Sequence, residues 1–196
     1  RGQSLKTIVL YMLVGAMQLG IMYLFSFRAY VYLSVSEFLL FTVLTPLYIT
    51  LIYDLLSKRR LRWGYLLSAA LAVIGAAIIR YDKVSDHFWT GLMSVQLANI
   101  SFAIGMVGYK RLMETRPMPQ HNAFAWFYLG AAIVAVAAWF MLGNPQKLPT
   151  TTVQWGVLVW LGVVASGLGY FMWNYGATQV DAGTLGIMNN VHVPAG

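Results

Sequence analysis

Apolar runs of about twenty residues recur along the chain, and each closes on a short polar or basic segment. A helix of that length crosses a bilayer core of roughly 30 Å. The runs lie at about 7–27, 34–56, 63–79, 88–109, 123–142, 153–175 and 182–196. This pattern predicts an all-α polytopic membrane protein with about seven spans in this stretch. Only helices of this kind, or closed barrels, satisfy their own backbone groups in lipid. Ser34 with Glu37 has capping-box spacing at the start of the second span. Asp181 is a good N-cap for the last one.

Composition strengthens the membrane assignment. The chain is 59% hydrophobic and 10% charged, whereas a soluble domain is nearer 25% charged. It has no cysteine, which excludes a disulfide framework and a cysteine metal site. It begins at Arg1 rather than Met and stops at Pro194-Ala195-Gly196 within an apolar pattern. A fragment lacking its first and last helices is expected.

The net charge of +7 does not point to nucleic acid, because Lys and Arg sit in short segments between spans. With seven spans, one side holds Arg1, Lys6, Lys58, Arg59, Arg60, Arg62, Lys110, Arg111 and Arg116. The other holds Arg28, Arg80, Lys83 and Lys147. The positive-inside rule puts the richer side in the cytoplasm. The expectation is a multi-pass protein of the inner (plasma) membrane, with the bilayer and a small-molecule solute as partners, no nucleic acid, and room for a homodimer.

Two stretches echo each other. Gly20–Pro46 and Gly167–Pro194 align with one gap, so that Tyr23 falls on Tyr170, Ala29 on Ala177 and Pro46 on Pro194. The charge pattern points the Arg28 turn outward and the Gln179 turn inward. A duplicated unit of opposite topology is an inverted repeat, and such repeats build transporters with a site at the repeat interface.

These residues, together with Asp181-Ala182-Gly183, resemble the EamA-type branch of the drug/metabolite transporter superfamily. The resemblance implies a ten-helix protein of two inverted five-helix halves, seen here from about its third helix to part of its ninth. Residues 1–86 would then be the rest of the first repeat, and 87–196 a truncated second repeat. It also implies cytoplasmic termini and export or uptake of amino acids, amines, carboxylates or related metabolites by alternating access. The chain departs from the family pattern at Tyr53-Asp54-Leu55-Leu56-Ser57-Lys58-Arg59-Arg60, where members often carry a Gly-Glu-Arg-like step.

Polar side chains inside spans are the candidates for substrate binding, since they are costly in hydrocarbon and face a cavity or the bundle interior. Bonding between helices is the alternative for each. Gln18 lies in the first span, and Gln96 and Asn99 share one face of the fourth. Tyr170 and Asn174 face together on the sixth. Asn189, Asn190 and His192 cluster before Pro194, which frees a backbone carbonyl near Asn190. His192 is either a proton-coupling group or a helix-packing hydrogen bonder. Pro46 and Pro194 are expected helix kinks. Trp173, Trp89, Trp139 and Trp155 read as an interfacial belt, and Gly105–Gly108 as a helix-contact surface.

No catalytic triad, metal spacing or phosphate loop is present, so no catalytic residue, metal or cofactor is expected. The reading is a secondary transporter of a small organic metabolite. Two alternatives stay open. One is a polytopic membrane enzyme using His192 with Asn189 or Asn190, and the other is a helical membrane scaffold subunit.

Overall fold

The computed structural model describes residues 4–56 and 87–189, whose regular structure is all helical. Helix α1 is Leu5–Tyr30, α2 Val35–Thr42, α3 Thr45–Leu56, α4 Phe88–Thr115, α5 Gln120–Leu142, α6 Thr152–Ala177 and α7 Ala182–Asn189. Five segments among the described residues are long and apolar enough to cross a membrane: α1, α2 with α3, α4, α5 and α6. The chain is thus a multi-pass membrane protein. The expected span at 63–79 lies outside the described residues, as does the end of the last span.

The helix starts follow their capping chemistry. At α2 the Glu37 backbone N–H donates to Ser34 Oγ, while the Ser34 N–H donates to the Glu37 carboxylate at 2.7 Å. Asp181 accepts the Thr184 N–H at 3.0 Å before α7. A second capping box, Thr151 with Gln154, opens α6. Helix α4 runs past the expected end at 109 as far as Thr115. Arg111 and Glu114 pair at 2.7 Å along its last turn, an i,i+3 contact that favours continued helix.

Helix α4 is the hub. Its most apolar stretch is 56% buried, against 17% for α5. On one side of it Tyr11, Tyr109, Phe124 and Phe127 form an aromatic cluster with α1 and α5. Further along, Ile49, Met106, Val107, Ala177 and Leu185 join α3, α4, α6 and α7. Near the α1–α2 turn, Ala29, Leu33, Phe41, Phe88 and Val95 make a third cluster.

Helices α1 and α5 cross where glycine meets backbone on both sides. A Cβ at Gly15 would overlap the Phe127 carbonyl, and one at Gly130 would overlap the Met12 carbonyl. In lipid no hydrophobic effect drives helices together, so close backbone approach supplies the packing. Gly130→Val is expected to destabilise the fold by about 1–3 kcal/mol through overpacking. Gly156, which has nothing within 4 Å of its Cβ position, should accept Ala without such a loss. Thermal denaturation of both variants in detergent checks the contrast.

Candidate functional site

The site is organised around an interrupted helix. Pro46 has no N–H and cannot bond the Thr42 carbonyl one turn back, and its ring disfavours helix at the preceding residue. Between α2 and α3 the ladder tightens, with Val43 N–H bonding Leu40 O at 3.3 Å and Leu47 N–H bonding Leu44 O at 3.1 Å. At this break the Phe41 carbonyl accepts from Asn99 Nδ2 of α4 at 3.0 Å. Thr42 turns its hydroxyl back onto Leu39 O at 2.6 Å.

Beside the break lies a cavity of about 220 Å³. Helix α1 contributes Met22 and Ser26, while Phe38, Leu39, Thr42 and Thr45 come from the interrupted span. Helix α4 adds Ala98, Asn99 and Phe102, with Tyr170 from α6 and Asn189 from α7 completing the wall. The lining is apolar and aromatic with a few hydroxyls and amides, the usual make-up of a small-molecule site. None of these residues is charged.

Three of the expected site residues, Asn99, Tyr170 and Asn189, therefore stand on one cavity. Gln96 is not on the wall but behind it, where its Oε1 accepts from Asn99 Nδ2 at 3.3 Å and from the Tyr48 hydroxyl at 3.0 Å. Gln18 and Asn174 are fully buried and bond reciprocally, Gln18 Nε2 to Asn174 Oδ1 at 2.8 Å and Asn174 Nδ2 to Gln18 Oε1 at 3.2 Å. They fasten α1 to α6 by direct side-chain contact. Asn190, His192 and Pro194 lie outside the described residues.

The two echoing helices share a local distortion. Helix α1 widens to a π-helical turn at Ala16–Ile21, and α6 does so at Trp160–Gly169. Aligning Tyr23 with Tyr170 brings the first distortion inside the second. Gln18 sits in one and Ser166 in the other. The distorted turn of α6 is tied down by Tyr128, whose hydroxyl donates to Ser166 O at 2.6 Å. Ser166 Oγ lies 2.9 Å from the Tyr23 hydroxyl, and the Tyr23 and Tyr170 rings are 6.3 Å apart.

Two sequence expectations need correction. Trp173 is not an interfacial belt residue. It packs against the Ile49–Met106 cluster, and its indole Nε1 is buried without an acceptor among the described residues. The reason is that α3, α4 and α7 cover the end of α6. Lys110 is more than a topology charge. It is 5% exposed, and its ammonium donates to the carbonyls of Ala177 and Val180 at 3.1 and 2.6 Å. A cation there satisfies the open carbonyls of a helix C-terminus. The cavity residues Ser26, Thr42 and Thr45 were not singled out from sequence. Their only signal is a short hydroxyl within a span, and for Thr42 and Thr45 also the proximity of Pro46.

The model of the EamA-like transporter family matches residues 89–193. A protein named biotin transporter from Escherichia coli strain K12 is 83% identical over all 196 residues of this chain, which cover 66% of that protein. The biotin transporter of Salmonella typhimurium is 82% identical over the same extent and share. A probable biotin transporter of Pseudomonas aeruginosa is 52% identical over 187 residues, 94% of this chain and 65% of that protein. The chain thus spans 66% of the length of the first of these curated relatives. No solved structure matches it. With more than half of its residues matched, and with the helices and distortions above, the chain belongs to the EamA-like transporter family.

Proposed function

We propose that this chain forms most of the helical body of a secondary transporter of the inner membrane, and that its solute is biotin. The observation that carries the transport reading is where the cavity lies. Its walls come from both echoing stretches, Met22, Ser26 and Thr42 from one and Tyr170 and Asn189 from the other, with Asn99 of α4 between them. A solute held there touches both halves, which is what alternating access between inverted repeats needs. The shared π-helical turns near Tyr23 and Tyr170 support the repeat.

Biotin as the solute rests on the relatives' names and on the fit of the lining. All eleven lining residues are uncharged, so within this cavity nothing among the described residues pairs with a carboxylate. The ureido and thiophane rings are the part that suits a neutral wall of amides, hydroxyls and aromatic faces. With the Lys and Arg count setting the sides, the cavity lies toward the external end of α1 and α2. The Ile49–Met106 cluster and the Lys110–Glu114 contacts at 3.7 Å then stand between it and the cytoplasm.

Saturable uptake of radiolabelled biotin is expected for the full-length protein in proteoliposomes, competed by excess unlabelled biotin. Tyr170→Leu should raise the half-saturation concentration by up to about tenfold, the worth of one good aromatic contact. Trp155→Leu, on an exposed face, should leave it unchanged. Absence of biotin flux under every imposed gradient sinks the biotin reading.

Gln18 and Asn174 are read as a clamp between helices rather than as solute contacts. Gln18→Leu and Asn174→Leu should each lower the thermal midpoint. The double variant should lose less than the sum, with a coupling of roughly 0.5–2 kcal/mol. Additive losses accompanied by a rise in half-saturation concentration would return both residues to the binding site.

A further inference from the structure

The hydrogen-bond relay behind the cavity wall has a fixed polarity. Phe41 O is a backbone carbonyl and can only accept. It takes Asn99 Nδ2 at 3.0 Å, which determines how the Asn99 amide is turned, because amide orientation follows from partners. The second N–H of the same nitrogen meets Gln96 at 3.3 Å. Gln96 must therefore present its carbonyl oxygen, not its NH₂. That oxygen also receives the Tyr48 hydroxyl at 3.0 Å. Gln96 Nε2 is turned away and is buried with no hydrogen-bond partner among the described residues. The unpaired donor is a cost that the alternative Gln96 orientation would not remove, since it would set two NH₂ groups against each other.

One carbonyl released at the helix break thus fixes the polarity of Asn99, Gln96 and Tyr48. The consequence falls on the cavity. Both Asn99 N–H groups are committed to protein acceptors, while Asn99 Oδ1 receives no hydrogen bond among the described residues. Asn99 is on the cavity wall. Its free function there is that of an acceptor, locked in place and unable to swap to a donor.

We propose that Asn99 Oδ1 is the specificity determinant that accepts a hydrogen bond from a solute N–H, with Gln96 and Tyr48 as positioning residues that hold its orientation. This rests on the transport reading above and deepens it: the ligand class is a cyclic urea or amide bearing N–H, and in biotin the donor is a ureido nitrogen. A solute without a donor at that point leaves a desolvated acceptor unpaired, and the site rejects it on that ground.

The test uses the full-length protein in proteoliposomes and compares uptake of biotin with that of a derivative methylated on its ureido nitrogens. The unmodified protein is expected to favour biotin by about tenfold in half-saturation concentration, the scale of one hydrogen bond lost with its acceptor left buried. In Asn99→Ala, biotin should weaken by about five- to tenfold while the methylated derivative does not, so the preference collapses. In Gln96→Leu the preference should also fall, because Asn99 is no longer held. This second variant carries the test if Asn99→Ala does not fold. Equal weakening of both compounds, with the preference intact, overturns the proposal and leaves biotin transport standing. So does an unmodified protein that takes up both compounds alike. An unmodified protein that carries no biotin overturns the transport reading and this proposal with it.

Discussion

The structure depends on one constraint: inside a bilayer there is no water to satisfy a polar group, so a polar group without a partner in the protein is costly. The amides inside the spans show how the chain meets it. Gln18 and Asn174 satisfy each other. Asn99 spends its donors on a backbone carbonyl and on Gln96. Tyr128 covers a carbonyl of the widened turn in α6. Lys110 neutralises the open end of the same helix. These contacts join helices far apart in sequence, so the polar groups also decide which helices are neighbours.

The same constraint explains where the backbone departs from regular helix. A break exposes carbonyls and N–H groups, and in a membrane it is tolerated only where protein covers it or a cavity receives it. The interruption before Pro46 is met by Asn99 of the most enclosed helix and opens onto the cavity. Tyr23, two residues beyond the π-helical turn of α1, bonds Ser166 inside that of α6. At the interrupted helix the irregular backbone and the candidate site coincide because one requirement selects both.

Much of this was legible in the sequence. Run length gave the five spans found among the described residues, since a twenty-residue apolar segment has few other fates. Ser34 with Glu37 and Asp181 marked helix starts, because capping is local. What sequence could not separate was wall from clamp. Asn99 and Gln18 are both amides in apolar spans, and the difference lies in partners. Asn99 meets Phe41 and Gln18 meets Asn174, 58 and 156 residues away in sequence. Lys110 shows the same limit. As a charge at a span end it reads as a topology signal, and only the fold brings it to the carbonyls of Ala177 and Val180, 67 and 70 residues on. Trp173 was misjudged for the converse reason: position along a span says how deep a residue lies, not whether other helices cover it.

The contacts that bridge the two echoing segments are few, and their strength bears on the proposed mechanism. Among the described residues, Gln18 with Asn174 and Tyr23 with Ser166 link the earlier helices to α6, while Phe41 with Asn99, Tyr48 with Gln96, Tyr53 with Glu114 at 3.4 Å and Tyr11 with the Arg116 carbonyl link them to α4 and its end. A hydrogen bond between transmembrane helices is worth about 0.6 kcal/mol on average, because separated helices find other partners. At that average these links together amount to a few kcal/mol, within reach of a solute's differential affinity for two states. The tight glycine crossing of α1 with α5 is different in kind. It has no slack for a sliding backbone, so α1 and α5 move together if they move at all. The interrupted helix between Thr42 and Thr45 is, by contrast, a point among the described spans where the backbone ladder is already broken.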